Sequence, residues 1–308
     1  MFSGIPYGRY FDAGLFRVSI DNIRLKLVYK YQNYDYKKGA SVLSVDHLCQ
    51  LLDSNRYFMS GVDVEWSSKD VFKIGGYCRT CTIKGNDWSF AVMVGRYCFD
   101  ADCRQVAPEA VVDYNPNKVP CEAISQVLYM LCPSALSCTV SRYDVAFDIP
   151  VNRRDVFLVP DKERNYKRFD CDGALTEYSG ERSSHGAVKL YDKTKEAGLS
   201  GDVTRCEVTI EGKSGVPVSR VFPLLYAFAD QQMEMAFMEL PFPVQACLMH
   251  PDLIGVMLQS YTYKTRKKYQ QEVERYSKCV LCPKDWNEID SFIRSTLRHY
   301  TTLAYESR

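Results

Sequence analysis

Apolar and polar residues alternate most cleanly over "SCTVSRYDVAFDIPV" (137–151), where Tyr143, Val145, Phe147 and Ile149 oppose Arg142, Asp144 and Asp148. Successive side chains of a strand point to opposite faces, so this run predicts a half-buried strand. The same period recurs over Ala187–Lys193, with Val188 and Leu190 opposite Lys189, Tyr191 and Lys193. It recurs again over Thr204–Glu211, with Cys206, Val208 and Ile210 opposite Arg205, Glu207 and Glu211. Further extended segments are expected over Phe16–Tyr31, in a meander over Asp70–Gly95, from Val111 into an Asn-Pro-Asn turn before Pro120, and near Leu175–Ser179. A charged connection is expected between Val151 and Leu175. Helical spacing marks Ser41–Asn55 and Glu122–Leu131, and after Gly215 four segments (218–240, 243–261, 263–280 and 286–300) read as helices. The expected fold class is α+β: a central antiparallel sheet with flanking helices, in a chain that is sheet-rich over 1–215 and helical over 216–308.

The 308 residues suffice for one large domain or two ordinary ones. Thirty-nine basic residues against thirty-eight acidic give a net charge of +1, so a nucleic-acid role must rest on local patches. Two exist. "DKERNYKRFD" (161–170) contributes Lys162, Arg164, Lys167 and Arg168; "YKTRKKYQ" (263–270) contributes Lys264, Arg266, Lys267 and Lys268 between aromatic rings. Each is either a solvated basic segment or a contact to phosphate backbone. The thirteen cysteines form an odd count without framework spacing. Two C-x-x-C pairs, Cys78/Cys81 and Cys279/Cys282, lie about 200 residues apart and read as thiols rather than a zinc site. The first residues lack a basic segment followed by an apolar run, and no stretch approaches the roughly 18 apolar residues that span a bilayer. A reducing, cytoplasmic setting without membrane contact is expected.

If the three alternating strands pair in one sheet, a single face gathers Tyr191, the cations Arg142, Arg205, Lys189 and Lys193, and the acids Asp144, Asp148, Glu207 and Glu211. An ordinary solvated sheet face also carries mixed charge. The alternative is phosphoryl chemistry. The four acids are hard oxygen donors suited to Mg²⁺ or Mn²⁺, which would polarise a phosphate. Lys189 and Lys193 would favour the phenolate of Tyr191, and its attack would leave a covalent phosphotyrosine. Arg182 in "YSGERSS" either shapes a hairpin turn or clamps the scissile phosphate. Asn115 and Asn117 suit a turn.

"SRYDVAFDIPV", "TEYSGERSSHGAVKLYDKTKE" and "TRCEVTIE", preceded by "VVDYNPNKV", resemble in order and spacing the core motifs of the Rep-trans family of rolling-circle plasmid replication initiators. The resemblance covers roughly residues 104–215. It implies a fold like that of the HUH endonucleases, with carboxylates replacing the histidine metal pair. His47, His185, His250 and His299 indeed form no His-x-His. It further implies a sequence-specific, metal-dependent DNA nicking and closing enzyme, with Tyr191 as nucleophile and a free 3′-hydroxyl left to prime synthesis. The implied partners are single-stranded or hairpin origin DNA, a second copy in a homodimer, and a host helicase. Asp192 stands beside the tyrosine where some members carry Asn. Two other readings share these residues: a relaxase for conjugative or mobilisation transfer, and a non-catalytic DNA-binding regulator of the same fold.

Overall fold

The computed structural model describes residues 10–12, 16–29, 45–55, 61–67, 77–96, 109–159, 164–181, 184–212, 217–228, 240–250, 253–275, 277–279 and 286–306. They form an α+β protein: a large antiparallel sheet flanked by helices, with a long helix at the C-terminal end. The chain divides into two compact units. One comprises Tyr10–Ser19 and Asp144–Phe292, the other Ile20–Tyr143 and Ile293–Arg308. Residue 215, where the sequence pattern turns from strand-like to helix-like, falls inside the first unit.

In the second unit, β2 (Arg17–Tyr29, from Ile20 onward) pairs with β6 (Glu109–Tyr114), and β3 (Asp63–Trp66), β4 (Tyr77–Lys84) and β5 (Ser89–Arg96) continue outward. Ile23, Leu25, Leu27 and Tyr29 of β2 are buried, whereas Arg24 and Lys26 between them pair with Asp113 and Glu109 of β6. That is the period-2 pattern of a strand with one face in the core. Helix α1 (Val45–Asn55) precedes β3. Helix α2 (Cys121–Leu131) buries Ala123, Ile124, Val127, Leu128 and Leu131, and the carbonyl of Leu131 accepts from the Tyr29 hydroxyl at 3.0 Å. Asn115 and Asn117 build the turn before α2, the Asn117 amide donating to Asn115 Oδ1 at 2.8 Å. Cys81 is a buried free thiol whose pKa burial pushes up to about 12.

In the first unit the strand order is β7–β12–β11–β10–β9, with β7 (Ala135–Ile149, from Asp144 onward), β12 (Thr204–Glu211), β11 (Val188–Asp192), β10 (Ala174–Ser179) and β9 (Tyr166–Cys171). The short β1 (Tyr10–Asp12) pairs with the start of β2. Phe147 of β7 packs on Phe16, Phe222 and Trp286, the closest ring centroid 4.5 Å away. A three-stranded sheet joins β14 (Ser277–Cys279), β13 (Leu224–Phe228) and β8 (Val156–Val159). Short α3 (Lys193–Ala197) follows β11; α4 (Phe242–Met249), α5 (Ile254–Ser260), α6 (Tyr263–Arg275) and α7 (Trp286–Glu306, up to Phe292) are the other helices described in this unit.

Three expectations need correction. The segment from Val218 is one 3₁₀ turn (Val218–Arg220) and then β13, not a helix. Pro223 disfavours helical backbone in the residue before it and has no amide to donate, and the Leu-Leu-Tyr-Ala-Phe run after it pairs in a sheet. The expected helix over 263–280 ends at Arg275, and Ser277–Cys279 is a strand pairing with β13. The connection between Val151 and Leu175 contains β8 and β9. The signal for β9 lies in Asp172-Gly173. Both residues have positive φ (51° and 72°) and turn β9 into β10 with Cys171 opposite Ala174, a two-residue hairpin of the Asp-Gly kind.

Burial also shows what alternation leaves hidden. Glu177 of β10 and Arg153 form an ion pair at 1 % side-chain exposure each. Arg153 also donates to the Val156 carbonyl at 2.7 Å, and Tyr166 donates its hydroxyl to Glu177. Burial and the Glu177 charge hold the Tyr166 hydroxyl far above its ordinary pKa. Removing one partner of such a pair strands the other charge in the interior. Glu177→Ala is expected to lower unfolding stability by roughly 3–5 kcal/mol, read from the urea midpoint; a loss under about 1 kcal/mol would contradict this account.

Candidate active site

Strands β11 and β12 pair antiparallel, with Lys189 opposite Glu207 and Tyr191 opposite Arg205. Directly opposed residues share a sheet face, so these four stand together, and Val188, Leu190, Cys206 and Val208 take the buried side. Tyr191 is 5 % exposed. Its hydroxyl donates to Glu207 Oε1 at 2.7 Å. Lys189 Nζ lies 3.8 Å from the centre of the tyrosine ring and Lys193 Nζ 5.9 Å. Lys193 is buried and pairs with Glu196 one turn along α3. The phenol thus has a carboxylate at its oxygen and an ammonium against its ring.

Asp192 explains why the strand stops there. Its carboxylate accepts from the Lys195 amide at 2.9 Å and caps α3, which closes at Gly198 with φ 61°. Asn caps a helix start about as well as Asp, so either residue serves beside the tyrosine.

The acids of this face are not gathered at one point. Asp148 is engaged by Arg205 in a bidentate pair, Nε to Oδ1 2.5 Å and Nη2 to Oδ2 2.7 Å, with both side chains buried. The residue expected to ligate metal and the one expected to touch DNA hold each other. A buried guanidinium left without its carboxylate would be strongly unfavourable. Glu211 is exposed at the end of β12, where its amide donates to His185 Nδ1 at 3.2 Å. Asp144 is half-buried on the same side of β7 as Asp148. Among the described residues no three His, Cys, Asp or Glu side chains form a metal-binding group. This donor set does not build an all-protein cage. It fits an ion of the Mg²⁺ kind, which keeps its waters and is held through one or two carboxylates and a phosphate.

The cations divide likewise. Arg182 and Lys162 lie outside the described residues. Arg142 is half-buried on the part of β7 that belongs to the second unit. Arg164 donates to the Gly186 carbonyl; Gly186 has φ 73°, and a Cβ there would come within 2.6 Å of the guanidinium. Arg266 caps the end of α5, donating to the carbonyls of Leu258 at 2.7 Å and Gln259 at 3.4 Å. Lys264, Lys267 and Lys268 are exposed on α6. Lys167 is exposed on β9, opposite Tyr178, which is opposite Lys189, so it stands on the tyrosine's face; Arg168 stands on the other.

No protein-family model matches the chain, and no curated protein does. Among solved structures, the rolling circle replication initiator protein from Geobacillus stearothermophilus is similar over 71 % of this chain and 89 % of that one, at 15 % identity and a TM-score of 0.37.

The cap is open to test. Asp192→Ala is expected to cost about 1 kcal/mol in thermal unfolding and Asp192→Asn a few tenths at most; equal losses for both would remove the capping role.

Proposed function

We propose that this chain is a replication initiator that nicks and recloses one DNA strand through Tyr191. The 2.7 Å hydrogen bond from the Tyr191 hydroxyl to Glu207 carries the reading, because it pairs a nucleophile with a base at hydrogen-bond reach. The order of the Arg-x-Asp, Tyr-x-Gly-x-Arg, Leu-Tyr-Asp-Lys and Arg-x-Glu motifs supports it independently.

In this mechanism Glu207 takes the phenol proton and Lys189 favours the developing phenolate through the ring face. The Tyr191 oxygen attacks phosphorus, a tyrosyl O–P bond forms and the P–O3′ bond breaks. The departing oxygen takes up a proton and becomes the free 3′-hydroxyl of the released fragment; the other fragment stays on the tyrosine through its 5′-phosphate. Closing runs the same steps in reverse. Arg205, locked to Asp148, keeps β12 and the position of Glu207 fixed rather than meeting DNA. A divalent Mg²⁺ or Mn²⁺ ion held through Asp144 and its own waters would supply charge neutralisation at the scissile phosphate. The substrate in this reading is single-stranded or hairpin origin DNA, met by the exposed lysines Lys167, Lys264, Lys267 and Lys268.

A second reading, a DNA-binding regulator without chemistry, is favoured by one observation, the near-complete burial of Tyr191. One assay separates the two. The wild-type chain with single-stranded origin DNA and Mn²⁺ is expected to give a protein–DNA adduct that survives SDS. Tyr191→Phe should abolish the adduct with binding retained, and EDTA should prevent it in the wild type. DNA binding without any adduct would establish the regulator instead, and an adduct persisting in Tyr191→Phe would move the chemistry to another residue.

A further inference from the structure

The face that carries Tyr191 does not end at β11. Across β10 and β9 the register continues it in two rows: Lys189, Tyr178 and Lys167 in one, Tyr191, Thr176 and Phe169 in the other. Exposure rises along this path. Tyr191 is covered at 5 %, Thr176 and Tyr178 are intermediate, and Phe169 is 55 % exposed with Lys167 beside it. Phe169 and Tyr178 meet edge to face, with ring centroids 5.8 Å apart and an interplanar angle of 81°. The opposite side of the same strands is closed, with Leu175, Glu177 and Ser179 buried.

The aromatic ring of Phe169 stands half open on the sheet, with the exposed Lys167 two residues along on the same face. It matches one class of occupant. Bases of a single strand stack on aromatic rings whatever their sequence, while lysines along the same track follow the phosphates. Paired bases in a duplex do not offer their faces. Phe169 is two strands from Tyr191, a separation of about 10 Å at the usual strand spacing. A base seated on it therefore belongs to the nucleotides beside the attacked phosphate.

We propose that Phe169 and Tyr178 form a base-stacking platform for single-stranded DNA, with Lys167 and Lys189 tracking its backbone, and that it leads the strand to Tyr191. The proposal rests on the nicking reading for its purpose, but its test does not. Binding is measured with a fluorescent oligothymidylate and the full chain carrying Tyr191→Phe, so that no cleavage is needed. Adding Phe169→Ala is expected to weaken binding roughly 5- to 150-fold, with the melting curve unchanged. Phe169→Trp should restore affinity, and its added fluorescence should be quenched on saturation with the oligonucleotide. Lys167→Ala should lower the salt dependence by about one counterion. Unchanged affinity in Phe169→Ala, or unquenched fluorescence in Phe169→Trp, overturns the platform whatever the adduct assay gives. Stacking without an adduct from the wild type would keep the platform and remove the chemistry.

Discussion

A phenol and a carboxylate on neighbouring strands come within 2.7 Å only if β11 and β12 pair in one particular register. That register is fixed by burial. Val188, Leu190, Cys206 and Val208 occupy the interior side, each 4 % exposed or less, and a shift of one residue would exchange them for Lys189, Tyr191, Arg205 and Glu207. Placing four polar and charged groups in the core would cost far more than any single contact at the site returns. The hydrophobic face thus positions Tyr191 and Glu207 on the other one, with no dedicated scaffold for them. Asp192 adds a second constraint by ending the strand one residue after the tyrosine and starting a helix there.

The polar face was legible in the sequence wherever alternation was strict. Residues 142–149, 188–192 and 204–211 lie on strands with the sidedness that their pattern gives. What alternation cannot show is which polar residues choose each other. Arg205 and Asp148 lie on one face with Glu207 and Tyr191, and only the folded pairing shows that the first two neutralise one another while the last two are joined by a hydrogen bond. Arg164 and Arg266 sit in basic runs that suit phosphate contact, and both donate to backbone carbonyls. Net charge counts such groups without recording that some of their donors already serve the backbone.

The fold was less legible where local and tertiary signals disagree. Leu224–Phe228 is apolar enough for a helix, and Pro223 with pairing to β8 makes it a strand. The polar and charged composition of β9 resembles a loop, and the Asp-Gly pair at its end is the local signal for the strand. Glu177 and Arg153 are ordinary surface residue types that each require the other in order to be buried, so neither alone signals the interior.

The Asp172-Gly173 hairpin bears on how this protein can diverge. Two residues of positive φ fix which side of β9 holds Phe169 and Lys167 and which holds Tyr166 and Arg168. Inserting or deleting a single residue at that tip would exchange the two sets, driving lysine toward the interior and leaving the Glu177 cluster without its tyrosine. Length variation in relatives should therefore collect in other loops, and at this tip should preserve parity.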